Sequence, residues 1–404
     1  MKILQVCHKP PFPSIDGGCI AINSITQGLL RAGHGVKVVA INTPKHPLID
    51  TPEFREYASQ TDFKSVFVDT SLNNWAALRS LLMRTSYHID RFVSKQFSQL
   101  LSSILIQEDF DVILLESLFV APYISVIRKY SKAKIVIRLH NIEHKVWERL
   151  VQNETHILRK MVLRKMTRYL RHYESRILSK VDGFMTISEV DYQYFHALYP
   201  QVKGITIPFG LDIEKYESDE EYFPSDKPEL FHVGSMNWLP NREGIEWFLE
   251  EVWPQVLQAY PEVTFTIAGR DMPTEFKVLA SDNLKILGEI DDAKAFMLSK
   301  DIMIVPILSG SGVRIKIIEG MALGKTIITT TIGAEGLDIA DGQNIFIADT
   351  PEDFVSIIGK CVQTPDLCSI IGENAMNFVI LHHNNELITQ KIIDFFKELI
   401  NDKR

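Results

Sequence analysis

The sequence predicts an α/β protein of two doubly wound domains, each a parallel sheet covered by helices on both faces. Three observations predict it. The chain has 404 residues, too many for one ordinary core and enough for two domains of roughly 200 residues each. Short Val- and Ile-rich runs with little polar alternation recur between longer amphipathic stretches, the pattern of strands buried on both faces. The strand–helix order also repeats in both halves, which makes each half Rossmann-like.

In the first half the strand candidates are Ile3–Val6, Val36–Ile41, Ser65–Val68, Val112–Leu115, Lys134–Leu139 and Gly183–Ile187. In the second they are Leu230–Val233, Val263–Ala268, Leu284–Leu287, Ile302–Pro306, Thr326–Thr330 and Asn344–Ile347. Ile22, Ile25 and Leu29 line one face of a first helix that Gly33 closes. Two longer helical stretches are expected, Leu72–Leu105 with Trp75, Leu78, Leu81 and Leu82 on an apolar face, and Val146–Lys180. The domain junction is placed near Tyr199-Pro200-Gln201, giving domains 1–202 and 203–384, with Ile205–Asp212 as the first strand and turn of the second. The final helix, about 385–404, is expected to pack back on the first domain.

With 46% hydrophobic and 23% charged residues the composition is that of an ordinary globular protein. A net charge of −8 leaves no global cationic excess for phosphates, so nucleic acid is not an expected partner. Cys7, Cys19, Cys361 and Cys368 are too sparse for a disulfide framework and form no CxxC pair, which points to reduced thiols in the cytoplasm. The opening Lys2–Cys7 run is too short for a signal peptide, and no run of ~18 apolar residues exists to span a membrane.

Ligands of open parallel sheets bind beyond the carboxyl ends of strands, often at helix N-termini. Four such places hold polar residues. Gly17 and Gly18 precede the first helix and allow close backbone approach, although the GxGxxG spacing of a dinucleotide site is missing. The Arg138-Leu-His140-Asn141-Ile-Glu143-His144 cluster follows a buried strand; a metal reading fails for want of a third ligand. Asn237, Asn241 and Arg242 follow the Leu230–Val233 strand, where Asn241 could reach a ligand or simply cap a helix. The fourth is Gly310-Ser-Gly-Val-Arg-Ile-Lys-Ile-Ile-Glu319. Gly310 and Gly312 expose amides at a helix start, where Arg314 and Lys316 oppose the helix dipole at ~0.3–1 kcal/mol each. An anion such as a diphosphate offsets that cost.

The stretch Gly310–Leu337 resembles the donor site of GT-B glycosyltransferases, in particular the retaining group called family 4. Ile207-Pro-Phe-Gly-Leu-Asp212 and Ile187-Ser188-Glu-Val-Asp191 are similar to that family's Ile-Pro-Asn-Gly-Val-Asp and Val-Ser-x-x-Asp segments, and the Gly17-Gly18 loop to its acceptor-side loop. The resemblance implies two Rossmann-like domains facing across a cleft, and transfer of a hexose-type sugar from a nucleotide-diphosphate donor to a glycan or lipid-linked hydroxyl with retention. It also implies that Arg314 and Lys316 neutralise the departing diphosphate and Glu319 holds the ribose. Gly288 and Glu289 lie beside the base, and His140 contacts the reacting sugar. Two departures stand out: Ser311 occupies the first position of the family's Glu-x7-Glu pattern, and of its basic pair after the first carboxyl-domain strand only Arg242, next to Asn241, is present. No DxD-like motif ends a strand, Asp291-Asp292 having the look of a helix cap, so neither metal nor other cofactor is expected. The Val146–Lys180 stretch carries Arg159, Lys160, Arg164, Lys165, Arg168 and Arg171 among Ile157, Leu158, Val162 and Leu163. It reads either as a solvated face or as a surface docking at an anionic membrane, on the inner face of the cytoplasmic membrane. A nucleotide-sugar 2-epimerase and a catalytically silent nucleotide-sugar binder share the expected architecture.

Overall fold

The computed structural model describes residues 1–216, 228–310 and 312–402. The chain divides into two compact units, Met1–Gly210 with Asn385–Arg404, and Leu211–Asn384.

The first unit runs β1 (Lys2–Cys7), α1 (Gly17–Arg31), β2 (Gly35–Asn42), α2 (Pro52–Gln60), β3 (Lys64–Phe67), α3 (Asn74–Met83), α4 (Tyr87–Asp90), α5 (Lys95–Gln107), β4 (Val112–Glu116), α6 (Ile124–Tyr130), β5 (Lys134–Leu139), α7 (Glu143–Asn153), α8 (Ile157–Ile177), β6 (Gly183–Thr186), α9 (Glu189–Leu198) and β7 (Lys203–Thr206). Its sheet has the order β3-β2-β1-β4-β5-β6-β7, and the pairings are parallel. The order reverses between β1 and β4. There the carboxyl ends of two adjacent strands diverge and leave room for a ligand. α1 shows why the sequence starts a helix at the glycine pair. Asp16 N-caps it by accepting the Cys19 amide, Ile22, Ile25 and Leu29 are buried, and Gly33 takes a φ of +78° just past its end.

The second unit runs β8 (Glu229–Val233), α10 (Leu239–Trp247), α11 (Trp253–Ala259), β9 (Thr264–Ala268), α12 (Thr274–Val278), β10 (Leu284–Gly288), α13 (Ala293–Leu298), β11 (Ile302–Val305), α14 (Ile315–Ala322), β12 (Thr326–Thr329), β13 (Phe346–Ile347), α15 (Pro351–Gln363) and α16 (Pro365–His382). Its order is β10-β9-β8-β11-β12-β13, again parallel, with the switch between β8 and β11. α17 (Asn385–Asn401) then belongs to the first unit. It lays Ile388, Ile392, Ile393, Phe395, Phe396 and Leu399 against Ile22, Ile25 and Val38, as the sequence leads one to expect of the final helix.

The twelve strand candidates all form, and three other expectations are corrected. Residues 203–206 do not open the second domain: they pair with β6 and end the first sheet, so the boundary falls at Gly210/Leu211. The 72–105 stretch is three helices. Arg84 in the left-handed region closes α3, Ser94 caps α5, and Trp75, Leu78 and Leu82 are exposed instead of covering a core. The 146–180 stretch likewise breaks at Glu154 into the α7–α8 hairpin. No single helix among the described residues is long and apolar enough to cross a membrane. The bent pair α15–α16 passes by length and composition only, and its Phe354, Ile357, Ile358, Cys361, Cys368 and Ile371 belong to the core of the second unit. The four cysteines are free and buried.

Candidate functional site

In the second unit, three loops at the carboxyl edge of the sheet converge. The loop after β11 turns at Gly310 and Gly312, whose φ values of +106° and +85° suit glycine, and delivers Arg314 at the N-cap of α14 and Lys316 in its first turn. The loop after β8 brings up Trp238, and the first turn of α10 brings up Asn241. The Arg314 guanidinium lies over the Trp238 ring at 5.5 Å and donates to the carbonyl oxygens of Gly312 and, at 3.4 Å, of Ile332 in the loop after β12. These contacts hold the buried guanidinium in place at the helix start.

Lys316 Nζ donates to Asn241 Oδ1 at 2.8 Å and makes two longer contacts of 3.4 Å, to the Val233 carbonyl and to His232 Nε2. His232 is buried and its Nδ1 donates to the Ile304 carbonyl, so a neutral ring presents Nε2 as an acceptor. One firm bond and two long ones leave the ammonium poorly served. Burial pushes Lys316 down to about 7, with the Arg314 charge adding to the effect. Gly234 makes the arrangement possible: a Cβ there would lie 2.7 Å from Asn241 Nδ2 and 3.1 Å from Lys316 Nζ. Further along α14, Glu319 Oε1 accepts from Tyr216 Oη at 2.9 Å. Burial raises the carboxyl, and the Tyr216 hydrogen bond opposes it.

The structure thus brings Gly310, Gly312, Arg314, Lys316 and Asn241 together. Asn241 is no cap: α10 begins before it, at Leu239, and its side chain bridges the Ser235 carbonyl and Lys316. Arg242 points elsewhere, pairing with Glu246 at 2.7 Å and Glu275 at 2.8 Å. Gly288 ends the edge strand β10 with a φ of +76°, followed by exposed Glu289, and Asp292 caps α13 as its sequence suggests. Ser311 lies outside the described residues. Trp238, His232, Gly234 and Tyr216 were not singled out from the sequence for these contacts. Only Gly234 and Trp238, in a run of small residues after a strand, carried a local signal.

The first unit holds its own cluster, centred on a residue the sequence reading passed over. Glu116 ends β4 fully buried. It accepts from Gln5 Nε2 at 2.8 Å, from His140 Nε2 at 3.1 Å and from Arg138 Nη1 at 3.4 Å. Burial works against the Glu116 carboxylate, yet the Arg138 charge and the His140 hydrogen bond hold it below the ordinary range. The carboxylate can only accept, so His140 carries its proton on Nε2. Burial lowers the His140 pKa, which leaves a neutral ring with Nδ1 as an acceptor. His144 turns away to Glu174 on α8, which also accepts the Glu143 amide at 2.7 Å, so the two histidines serve different carboxylates. At α1, Asp16 takes Lys9 Nζ at 2.7 Å and His46 Nε2 at 2.8 Å. Gly18 is needed there because a Cβ would come within 2.4 Å of Lys9 Nζ. Asp16, Cys19 and His46 have ligand atoms within 4.8 Å of one another, but the Lys9 ammonium already neutralises the one carboxylate among them.

Two family models match the chain, one described as glycosyltransferase family 4 over residues 15–215 and one as glycosyl transferases group 1 over residues 227–364. An uncharacterized 44.6 kDa protein from the cps region of Klebsiella pneumoniae is 23% identical over 98% of this chain and 99% of its own length. The phosphatidyl-myo-inositol mannosyltransferase of Mycolicibacterium smegmatis is 27% identical over 34% of this chain and 37% of its own. Among solved structures, Anabaena HepE in complex with UDP superposes with a TM-score of 0.66 at 15% identity, covering 98% of this chain and 100% of that one. A glycosyltransferase from Rickettsia africae does so with a TM-score of 0.68 at 17% identity, over all of both chains.

Proposed function

Because the chain belongs to the group 1 glycosyltransferases of GT-B fold, we propose that it moves a hexose-type sugar from a nucleoside-diphosphate donor to a hydroxyl of a glycan or lipid-linked acceptor, with retention and without a metal. The observation that carries this reading is the pair Arg314 and Lys316 at the start of α14, beside the β8/β11 switch point. Departure of a nucleoside diphosphate builds negative charge on its terminal phosphate. Two fixed cations and the helix-start amides meet that charge without reorganising, which is where electrostatic catalysis gains most.

Within this reading Glu319, steadied by Tyr216, accepts hydrogen bonds from the ribose hydroxyls, and Gly288 and Glu289 border the base. Gly17 and Gly18 expose amides at the α1 start of the first unit. His140, locked by Glu116, offers Nδ1 to a sugar hydroxyl. Arg242 is left out of the phosphate site because two carboxylates already hold it. HepE binds UDP, and its complex with UDP-glucose makes UDP-hexoses the first donors to try.

The test is incubation with UDP- and GDP-hexoses, following release of the nucleoside diphosphate and the anomeric signal of the product by NMR. Arg314→Ala with Lys316→Ala should abolish release while leaving the melting curve in place. Tight donor binding without turnover in the parent chain would establish a silent binder, and C2 inversion of the donor an epimerase.

A further inference from the structure

α8 carries seven Arg and Lys against one Glu, a net +6 (7 − 1), in a chain whose net charge is −8. Its exposed residues sort by height as well as by face, apart from Arg159 in the first turn, which pairs with Glu154 at 3.2 Å. Met166, Leu170, Glu174 and Ile177 are buried. On the outward side, Ile157 (74% exposed), Leu158 (69%), Met161 (63%) and Val162 (45%) occupy the first two turns. The exposed Arg164, Lys165 and Arg168 follow on the same side over the next two turns. Leu150, at the adjoining end of α7, adds to the apolar tip, and Lys160 ties the hairpin by donating to the Gln152 and Glu154 carbonyls at 3.0 and 3.1 Å. Single exposed apolar residues need no explanation, but five large ones at one hairpin tip, backed by a basic belt, mark an interaction surface.

We propose that the α7–α8 hairpin enters an anionic lipid surface tip first, with the apolar turns in the acyl boundary and Arg164, Lys165 and Arg168 at the phosphates. The charge decides the occupant: a belt of cations suits anionic headgroups, whereas a second copy would bring the same cations against themselves. The dimensions agree. Seven residues separate Met161 from Arg168, a rise of about 10 Å, which matches the ~5–10 Å depth of an interfacial helix below the headgroups. The proposal is independent of the transfer reading: a chain that binds vesicles and transfers no sugar leaves it standing.

The experiment is co-sedimentation of the full chain with vesicles of phosphatidylcholine alone and of phosphatidylcholine mixed equally with phosphatidylglycerol. Binding is expected only to the mixed vesicles. Lys165→Ala with Arg168→Ala should weaken it about 30-fold, at ~1 kcal/mol per charge. Leu158→Ser with Met161→Ser should weaken it at least about 100-fold without lowering the melting temperature, since both side chains are exposed. A solvatochromic label on Met161→Cys should shift to the blue on binding, and one on Arg171→Cys should not. Equal binding by the Leu158/Met161 double variant, or a blue shift at position 171 as large as at 161, overturns tip-first insertion. Self-association in the absence of lipid, lost in the same double variant and unaccompanied by vesicle binding, assigns the tip to a second copy instead.

Discussion

Raising the pH above neutrality should weaken the binding of UDP, and Lys316 should be the cause. In the free protein burial and Arg314 bring its pKa down to about 7. A bound diphosphate places opposite charge beside it and raises it again. A group whose pKa rises on binding gives its full contribution below the free-state value and loses it as the pH climbs through that value. Free Lys316 is about half protonated at pH ~7 and about one part in a hundred at pH ~9, so the affinity should fall roughly 50-fold, or about 2 kcal/mol. The ligand's own charge hardly changes in this window, since a terminal phosphate titrates near ~6. Titration calorimetry in two buffers of different ionisation enthalpy would show uptake of close to one proton at the alkaline end. A flat affinity, or an equal slope in Lys316→Met, would refute the assignment of Lys316 to the diphosphate. Without ligand the sign reverses. The unfolded chain then binds the extra proton, so this one group makes the fold more stable as the pH rises from about 7 to about 10.

Three other outcomes follow from contacts described above. Gly234→Ala should cost at least about tenfold in UDP affinity with the fold retained, because the new methyl intrudes on Asn241 and Lys316; calorimetry and circular dichroism measure the two separately. Glu143→Gln should raise the melting temperature increasingly between pH ~5 and ~8. Burial and the Glu174 charge push this carboxyl up to about 8, so the folded state holds a proton the unfolded chain gives up. Arg138→Met should destabilise the first unit by about 3–5 kcal/mol in urea unfolding, because it strips the cation from a fully buried Glu116.

What could be read in the sequence followed from local pattern. Buried strands announce themselves as Val and Ile runs, and β5 was bounded to the residue. β7 was misplaced because Lys203–Thr206 is a half-buried edge strand whose partner, β6, is defined only in three dimensions. The α3 face misled for a related reason: Trp75, Leu78 and Leu82 have helical spacing, but spacing says nothing of whether a core lies opposite. At the site, Gly310, Gly312, Arg314 and Lys316 were legible because one loop and one helix start carry them. Their supports were not. Asn241 stands 75 residues from Lys316, and Tyr216 stands 103 from Glu319. Glu116, a lone acid ending an apolar run, could have been noticed on that signal alone.

The return of α17 to the first unit bears on how the protein is made. The apolar surface formed by Ile22 and Ile25 of α1 and Val38 of β2 is covered by residues that follow the entire second unit in the chain. During synthesis, residues 1–210 therefore leave the ribosome with an apolar face unclosed, and they stay so while the next 174 residues are added. A fragment cut at Gly210 would keep that face bare and tend to aggregate. The same fragment mixed with a peptide of residues 385–402 should regain solubility.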